Sequence, residues 1–214
     1  MAARERVDKI LSRIDSERHL FEAFGTQVET VIGRGPPDIA RLVHSTKRRI
    51  KSHESLRGKI QNKRSGGVDV NSSNVLDIIT DICGVRVLHL FPQDISPLRD
   101  HIDKCISDFG WHLFEQPTAY SWDPESVEYL ERLGFQCSLK PNYYTSVHYV
   151  VRPRADSVVS CEIQVRSLLE EVWAEVDHKV KYKKEHADVR DAEHLAVLAR
   201  LVGAGSKLIS VLHK

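Results

Sequence analysis

Apolar residues recur at Val7, Ile10, Leu11, Ile14, Leu20, Phe21 and Phe24, a spacing of three and four that predicts helix through the first thirty residues. Gly25 and the stretch 33–37 read as breaks. A second helix is expected from residue 37 to about 62, ended by the flexible turn Ser65-Gly66-Gly67. Asn74 suits the cap of a short helix, and the apolar run 84–91 reads as a buried strand. Pro92 and Pro97 flank the start of a helix that continues through Phe109. From 111 to about 133 the chain turns polar and aromatic, with Trp122-Asp123-Pro124 as a loop and a short helix after it. Two alternating segments, 146–151 and 157–165, are joined by Arg152-Pro153-Arg154-Ala155-Asp156 and predict a hairpin. Helical spacing returns at Leu169, Val172, Trp173, Val176 and Val180, and a last helix is expected over 189–213.

Helices before and after a central set of strands predict an α/β or α+β domain around one mixed sheet, antiparallel at least in the hairpin. Composition changes this picture little. Of 214 residues, 41% are hydrophobic and 29% charged, and a net charge of +1 announces neither nucleic acid nor an anionic membrane as partner. Cys83, Cys105, Cys137 and Cys161 lack metal-site spacing and read as reduced thiols. The N-terminal residues 2–9 carry alternating charges, and no run approaches the roughly 18 apolar residues of a membrane span. The expected location is therefore the cytoplasm, with no membrane partner.

Candidate chemistry begins in the hairpin. Alternation sets Val147, Tyr149 and Val151 on one face and Ser146 and His148 on the other; in the partner strand Val159, Cys161, Ile163 and Val165 oppose Ser160, Glu162 and Gln164. With the turn centred on Ala155, His148 lies opposite Glu162 and Ser146 opposite Gln164. A solvated outer face is the plain reading of any such hairpin. Here Lys140, Tyr143-Tyr144 and Arg166 join the same platform, so cations, an aromatic face and a carboxylate converge where a nucleotide could be held. A second passage places Lys51, Ser55 and Lys59 at i, i+4 and i+8 of the expected helix, within a span from Lys47 to Arg64 that holds eight Lys or Arg and the single acid Glu54. Such a stripe suits a solvated face, RNA phosphates or a polyphosphate. A third passage puts Asp81 just before the buried strand. Magnesium is typically held by one or two carboxylates plus substrate phosphates, and Asp81 with Glu162 is the candidate pair.

Together these motifs resemble the synthetase domain of the RelA/SpoT family. Arg49-x-Lys51-x-x-x-Ser55-x-x-x-Lys59 is similar to its ATP-phosphate segment, and Asp81-x-x-Gly84-x-Arg86 to its metal-binding acid and following strand. Lys140-Pro141-Asn142-Tyr143-Tyr144-Thr145-Ser146-Val147-His148 resembles its acceptor segment, and Glu162-Ile163-Gln164-Val165-Arg166 its second acidic motif. Trp173-Ala174-Glu175, His178 and Tyr182-Lys183 continue the likeness. Two departures stand on the acceptor side: Tyr143 occupies a place where the family usually has Gly, and Glu131-Arg132-Leu133-Gly134 stands where a charged segment is expected.

The resemblance implies a nucleotidyltransferase-like fold, with a helical extension at 1–36, the synthetase domain at 37–186 and a C-terminal helix at 187–214. It implies transfer of pyrophosphate from ATP to the 3′-hydroxyl of GDP or GTP. Asp81 and Glu162 would be the catalytic and magnesium-binding acids, with Glu162 as ligand or general base. Arg49, Lys51, Ser55, Lys59 and Arg86 would hold ATP. Lys140, Asn142, Tyr144, His148, Gln164 and Arg166 would hold the acceptor, Tyr144 by stacking on its base. Adenosine nucleotides or the tRNA 3′ end as acceptor, an antitoxin partner, self-association, and a non-catalytic nucleotide-sensing or RNA-binding module are the alternatives left open.

Overall fold

The computed structural model describes residues 5–183 and 189–212. Its strands are β1 (Val43–Ile50), β2 (Cys83–His89), β3 (His112–Ser121), β4 (Gln136–Leu139), β5 (Ser146–Arg152) and β6 (Cys161–Ser167). They form one sheet in the order β1-β2-β6-β5-β3-β4. The pairs β2–β6 and β3–β4 are parallel and the others antiparallel, so the mixed sheet expected from sequence is present. The last strand along the chain, β6, lies between β2 and β5.

Helices α1 (Val7–Ser16) and α2 (Arg18–Gly33) divide at Glu17 and not at Gly25. A Cβ on Gly25 would lie 2.3 Å from the Cys83 sulfur and 2.9 Å from Arg48 Cδ, so the missing side chain lets α2 settle directly on β1 and β2. Ile10, Phe21, Val28 and Ile32 are fully buried with Ile82, Val85, Val87 and Ile163, which makes α1 and α2 part of the central core.

The expected helix from 37 to 62 is instead one turn, α3 (Pro37–Ala40), then strand β1, then α4 (His53–Ser65) capped by Ser52, whose hydroxyl accepts the Ser55 N–H at 3.2 Å. The cations of β1 fall on alternate sides. Thr46 and Arg48 lie against Gly33 and Gly25 of α2, and Lys47 and Arg49 point to the other face. Lys51 therefore precedes the helix that carries Ser55 and Lys59, and the three do not form one helical stripe.

The stretch 112–121, for which no element was predicted, is β3, and β4 was also not anticipated. Pro117 and the polar residues around it mask the strand, and two shifts of register between Leu113 and Thr118 absorb the missing proline donor. In the hairpin, β6 begins at Cys161, four residues later than expected. Its register differs by two, with His148 opposite Gln164 and Val150 opposite Glu162. Because side chains alternate with period two, this shift preserves both faces.

The remaining helices are α5 (Val75–Ile78), α6 (Ile95–Asp108), α7 (Pro124–Arg132), α8 (Leu168–Lys183) and α9 (Val189–Leu212). Residues 190–212 are, by length and composition, long and apolar enough to cross a membrane, which corrects the expectation that no segment would be. A helix tolerates Arg200 and Lys207 inside an otherwise apolar stretch, whereas a search for an unbroken run does not. Trp173 Nε1 donates to the Leu195 carbonyl at 3.0 Å and Gln93 to the Ser210 carbonyl at 2.8 Å, docking α9 onto the domain.

Candidate active site

One sheet face carries Arg49, Arg86, His148, Glu162, Gln164 and Arg166, while Lys51, Ser55, Lys59, Asp81, Lys140, Asn142 and Tyr144 come from the turns and the helix beside it. On β1 and β2, Lys47 stands beside Arg86 and Arg49 beside Gly84; on β2 and β6, Gly84 stands beside Glu162 and Arg86 beside Gln164. Lys47, Arg49, Arg86, Glu175 and His178 line a cleft of about 150 Å³ at this face. Among the described residues, Lys47 and Arg49 are paired to no carboxylate.

Asp81 sits at the entrance to β2, its carboxylate shared by the ammonium groups of Lys51 and Lys59, the latter at 2.6 Å. Burial alone would raise its pKa, but the two cations outweigh that cost and hold it below the ordinary carboxylate range. The same burial, opposed by Asp81, leaves Lys51 below the usual lysine value. Asp81 Oδ1 is buried and accepts no hydrogen bond, so one oxygen is unspent. An unspent buried carboxylate oxygen suits a hard cation that takes its other oxygens from phosphates. Among the described residues no group of three or more His, Cys, Asp or Glu gathers as a ready metal site. Ser55 is exposed in the first turn of α4, and Arg86 is held by Glu171 at 2.7 Å and Glu175 at 2.8 Å.

Four of the residues expected to hold the acceptor form a closed circuit with Glu162. Arg166 donates to Tyr144 Oη at 2.9 Å and to Gln164 Oε1 at 2.8 Å, and Gln164 donates to Glu162 Oε2. His148 Nδ1 lies 3.0 Å from Glu162 Oε1, and its Nε2 lies 2.9 Å from Tyr144 Oη. With Arg166 donating to Tyr144 Oη, a neutral His148 takes the Tyr144 proton at Nε2. His148 then carries its proton on Nδ1 and donates it to Glu162. Burial would raise the Glu162 pKa, and the bonds from His148 and Gln164 overcome it, keeping the carboxyl below its usual range. Burial pushes the Tyr144 phenol up, which keeps it a donor. Lys140 lies 4.4 Å over the Tyr120 ring, and Asn142 is exposed in the turn.

Two contributors escaped the sequence reading. Tyr120 of β3 packs its ring 4.9 Å from His148 and escaped because no strand was read over 112–121. Glu171 binds Arg86 and also stands 3.4 Å from Arg166, linking α8 to both halves of the face. Its one signal was an acid in the first turn of a helix that directly follows β6.

Residues 48–187 match the family model described as the region found in RelA / SpoT proteins. The chain is 27% identical over 172 residues to the GTP pyrophosphokinase YwaC of Bacillus subtilis (strain 168), covering 76% of this chain and 67% of that protein. Among solved structures it resembles the small alarmone synthetase 1 from Bacillus subtilis, with a TM-score of 0.67 at 18% identity over 96% of each chain. The same enzyme bound to its product pppGpp aligns with a TM-score of 0.65 at 18% identity over 94% of each chain.

Proposed function

The chain belongs to the RelA/SpoT family, and on that premise we propose that it transfers the pyrophosphoryl group of ATP to the 3′-hydroxyl of GDP or GTP. The observation that carries this reading is that Asp81, held by Lys51 and Lys59 at the entrance to β2, lies close enough to act on Glu162, which closes a circuit with His148, Tyr144, Gln164 and Arg166. The acceptor 3′-oxygen attacks the β-phosphorus of ATP. The bond from that phosphorus to the oxygen bridging to the α-phosphate breaks, and AMP leaves with its electron pair. The hydroxyl proton passes to Glu162, which is ionised and oriented by His148. Lys47, Arg49, Lys51 and Lys59 offset the charge of the phosphates, so most of the rate comes from positioning and charge neutralisation. Asp81 and Glu162 would hold magnesium, which when bound neutralises phosphate charge. Ser55 and Arg86 are assigned to ATP, and Lys140, Asn142 and Tyr144 to the acceptor.

Several cations of the basic run have internal duties. Arg48 pairs with Glu29, Arg57 with Asp8, and Arg64 donates to the carbonyls of Val70 and Glu5. That division favours a nucleotide over tRNA as the acceptor. Four free thiols suit the cytoplasm. A second copy of the chain is the partner that α9 suits best. Val197, Leu201, Leu208 and Val211 are all more than half exposed and follow the alternating four-and-three spacing of a coiled-coil seam when Ala204 is included.

Chromatography of products from labelled ATP with GDP, GTP, ADP, ATP or tRNA tests the reading. Product with GDP or GTP is expected. Product only with an adenosine nucleotide or tRNA would move the acceptor, and none with any acceptor would leave a binding module.

A further inference from the structure

We infer that Trp122 is a positioning residue for the acceptor. Held between Gly203 of α9 and Tyr143, it keeps Tyr143 in a left-handed backbone conformation and so sets the direction in which Tyr144 leaves the turn. The inference rests on the reading of segment 140–148 as the acceptor site.

Tyr143 has φ +63°, and among the described residues no other non-glycine residue has a positive φ. A side chain with a Cβ enters that region only where its surroundings hold it there. The hold on the main chain comes from two hydrogen bonds. Lys140 N–H donates to the Ser121 carbonyl at 2.8 Å and Tyr143 N–H to the Lys140 carbonyl at 3.3 Å, so the turn hangs from the end of β3, next to Trp122. The hold on the side chain comes from Trp122, whose ring meets that of Tyr143 edge-on with centroids 5.3 Å apart.

Behind Trp122 stands α9. A Cβ on Gly203 would lie 3.2 Å from Trp122 Cζ2, so the helix backs closely onto the indole. One turn later Lys207 reaches Glu125 at 2.8 Å and Asp123 at 3.7 Å, pinning α9 to the residues that follow Trp122. A cavity of about 110 Å³ opens between α9 and this turn, lined in part by Trp122, Tyr143 and Thr145. Tyr143 also borders a second hollow with Leu139, Lys140, Pro141 and Arg200, and the indole stands beside it in both. Docking of α9 is thus transmitted through Trp122 to Tyr143, and through the chain to Tyr144, whose hydroxyl closes the circuit at Glu162. The C-terminal helix carries no member of that circuit yet bears on how the acceptor is received.

The test is calorimetric titration of the full chain with GDP and, separately, with a non-hydrolysable ATP analogue, in Trp122→Ala, Trp122→Phe, Tyr143→Gly and the Trp122→Ala/Tyr143→Gly pair. Trp122→Ala is expected to weaken GDP binding about tenfold while ATP-analogue binding changes less than about twofold. Trp122→Phe keeps an aromatic edge and retains most of the affinity. Glycine needs no support at positive φ, so adding Trp122→Ala to Tyr143→Gly changes GDP binding less than about twofold. Equal losses for both nucleotides, no loss for GDP, or a full additional loss in the pair would overturn the inference. A wild-type chain that binds GDP but makes no product would refute the transfer reading and leave this one standing; a wild-type chain that binds neither GDP nor GTP would refute both.

Discussion

Asp81 is kept ionised by two ammonium groups, whereas Glu162 is kept ionised by an imidazole and an amide, and the difference separates the effects of neutralising each. Asp81→Asn releases Lys51 and Lys59 from their shared anion, and Glu162→Gln puts an amide where His148 and Gln164 both donate. Each is expected to lower transfer by at least about 10²-fold while leaving the circular dichroism spectrum unchanged. Turnover at the wild-type rate in either variant would remove that residue from the mechanism. Both carboxyls have folded-state pKa values below the unfolded ones. Their stabilisation is therefore fully present above the ordinary carboxylate pKa of about 4 and is lost as pH falls through the lower folded values. Melting temperature should fall on acidification below about pH 4, and the double variant should flatten that fall. Tyr144 was expected to act through its ring face alone, but its hydroxyl joins Arg166 to His148. Tyr144→Phe should therefore cost about tenfold in transfer, the loss of one buried hydrogen bond in a network. A wild-type rate in Tyr144→Phe would return the residue to a purely stacking role.

At the scale of elements, the contact of α2 with the sheet explains why the acid at the start of β2 is held firmly. Gly25→Ala would place a methyl group on the Cys83 sulfur, two residues beyond Asp81. It should destabilise the protein by about 1–3 kcal/mol in denaturant titration, and an unchanged midpoint would mean that α2 can shift away at little cost. The junction of β1 and α4 makes a second case. Lys51 and Lys59 reach Asp81 from a strand end and a helix, so Lys51→Ala and Lys59→Ala should each raise KM for ATP more than KM for the acceptor. A rise confined to the acceptor would assign these cations to the other substrate. The two faces of the hairpin were legible in the sequence because alternation is a local signal, so Glu162 and His148 share a face, although they meet diagonally and not in the direct opposition expected. The identity of β1 was hidden because Arg49, Lys51, Ser55 and Lys59 lend themselves to helical spacing as well as to alternation. β3 was hidden because a proline and two register shifts break its alternation, and Tyr120 was lost with it. Tyr143 stood out as a side chain where the family motif has glycine, but its support by Trp122 and Gly203 depends on contacts that span the chain.

For the molecule as a whole, α9 presents two faces with different duties. One docks through Trp173, Gln93 and Trp122, and the other leaves Leu201 and Leu208 each 65% exposed. Leu201→Asp with Leu208→Asp should lower the mass seen by sedimentation equilibrium to that of a single chain without loss of helical signal. A single-chain mass already present in the wild type would refute the seam. The strand order carries a different consequence. Asp81 precedes β2 and Glu162 lies on β6, and the two strands are neighbours in space although nearly eighty residues of chain separate them. While the chain is being made, β2 and β5 leave the ribosome before the strand that must lie between them. Until β6 arrives, both present open hydrogen-bonding edges, and the second acid is missing from the site. A nascent chain stalled before residue 161 lacks Glu162 and the strand that joins β2 to β5, so it is expected to make no product, and product from such a chain would remove Glu162 from the mechanism.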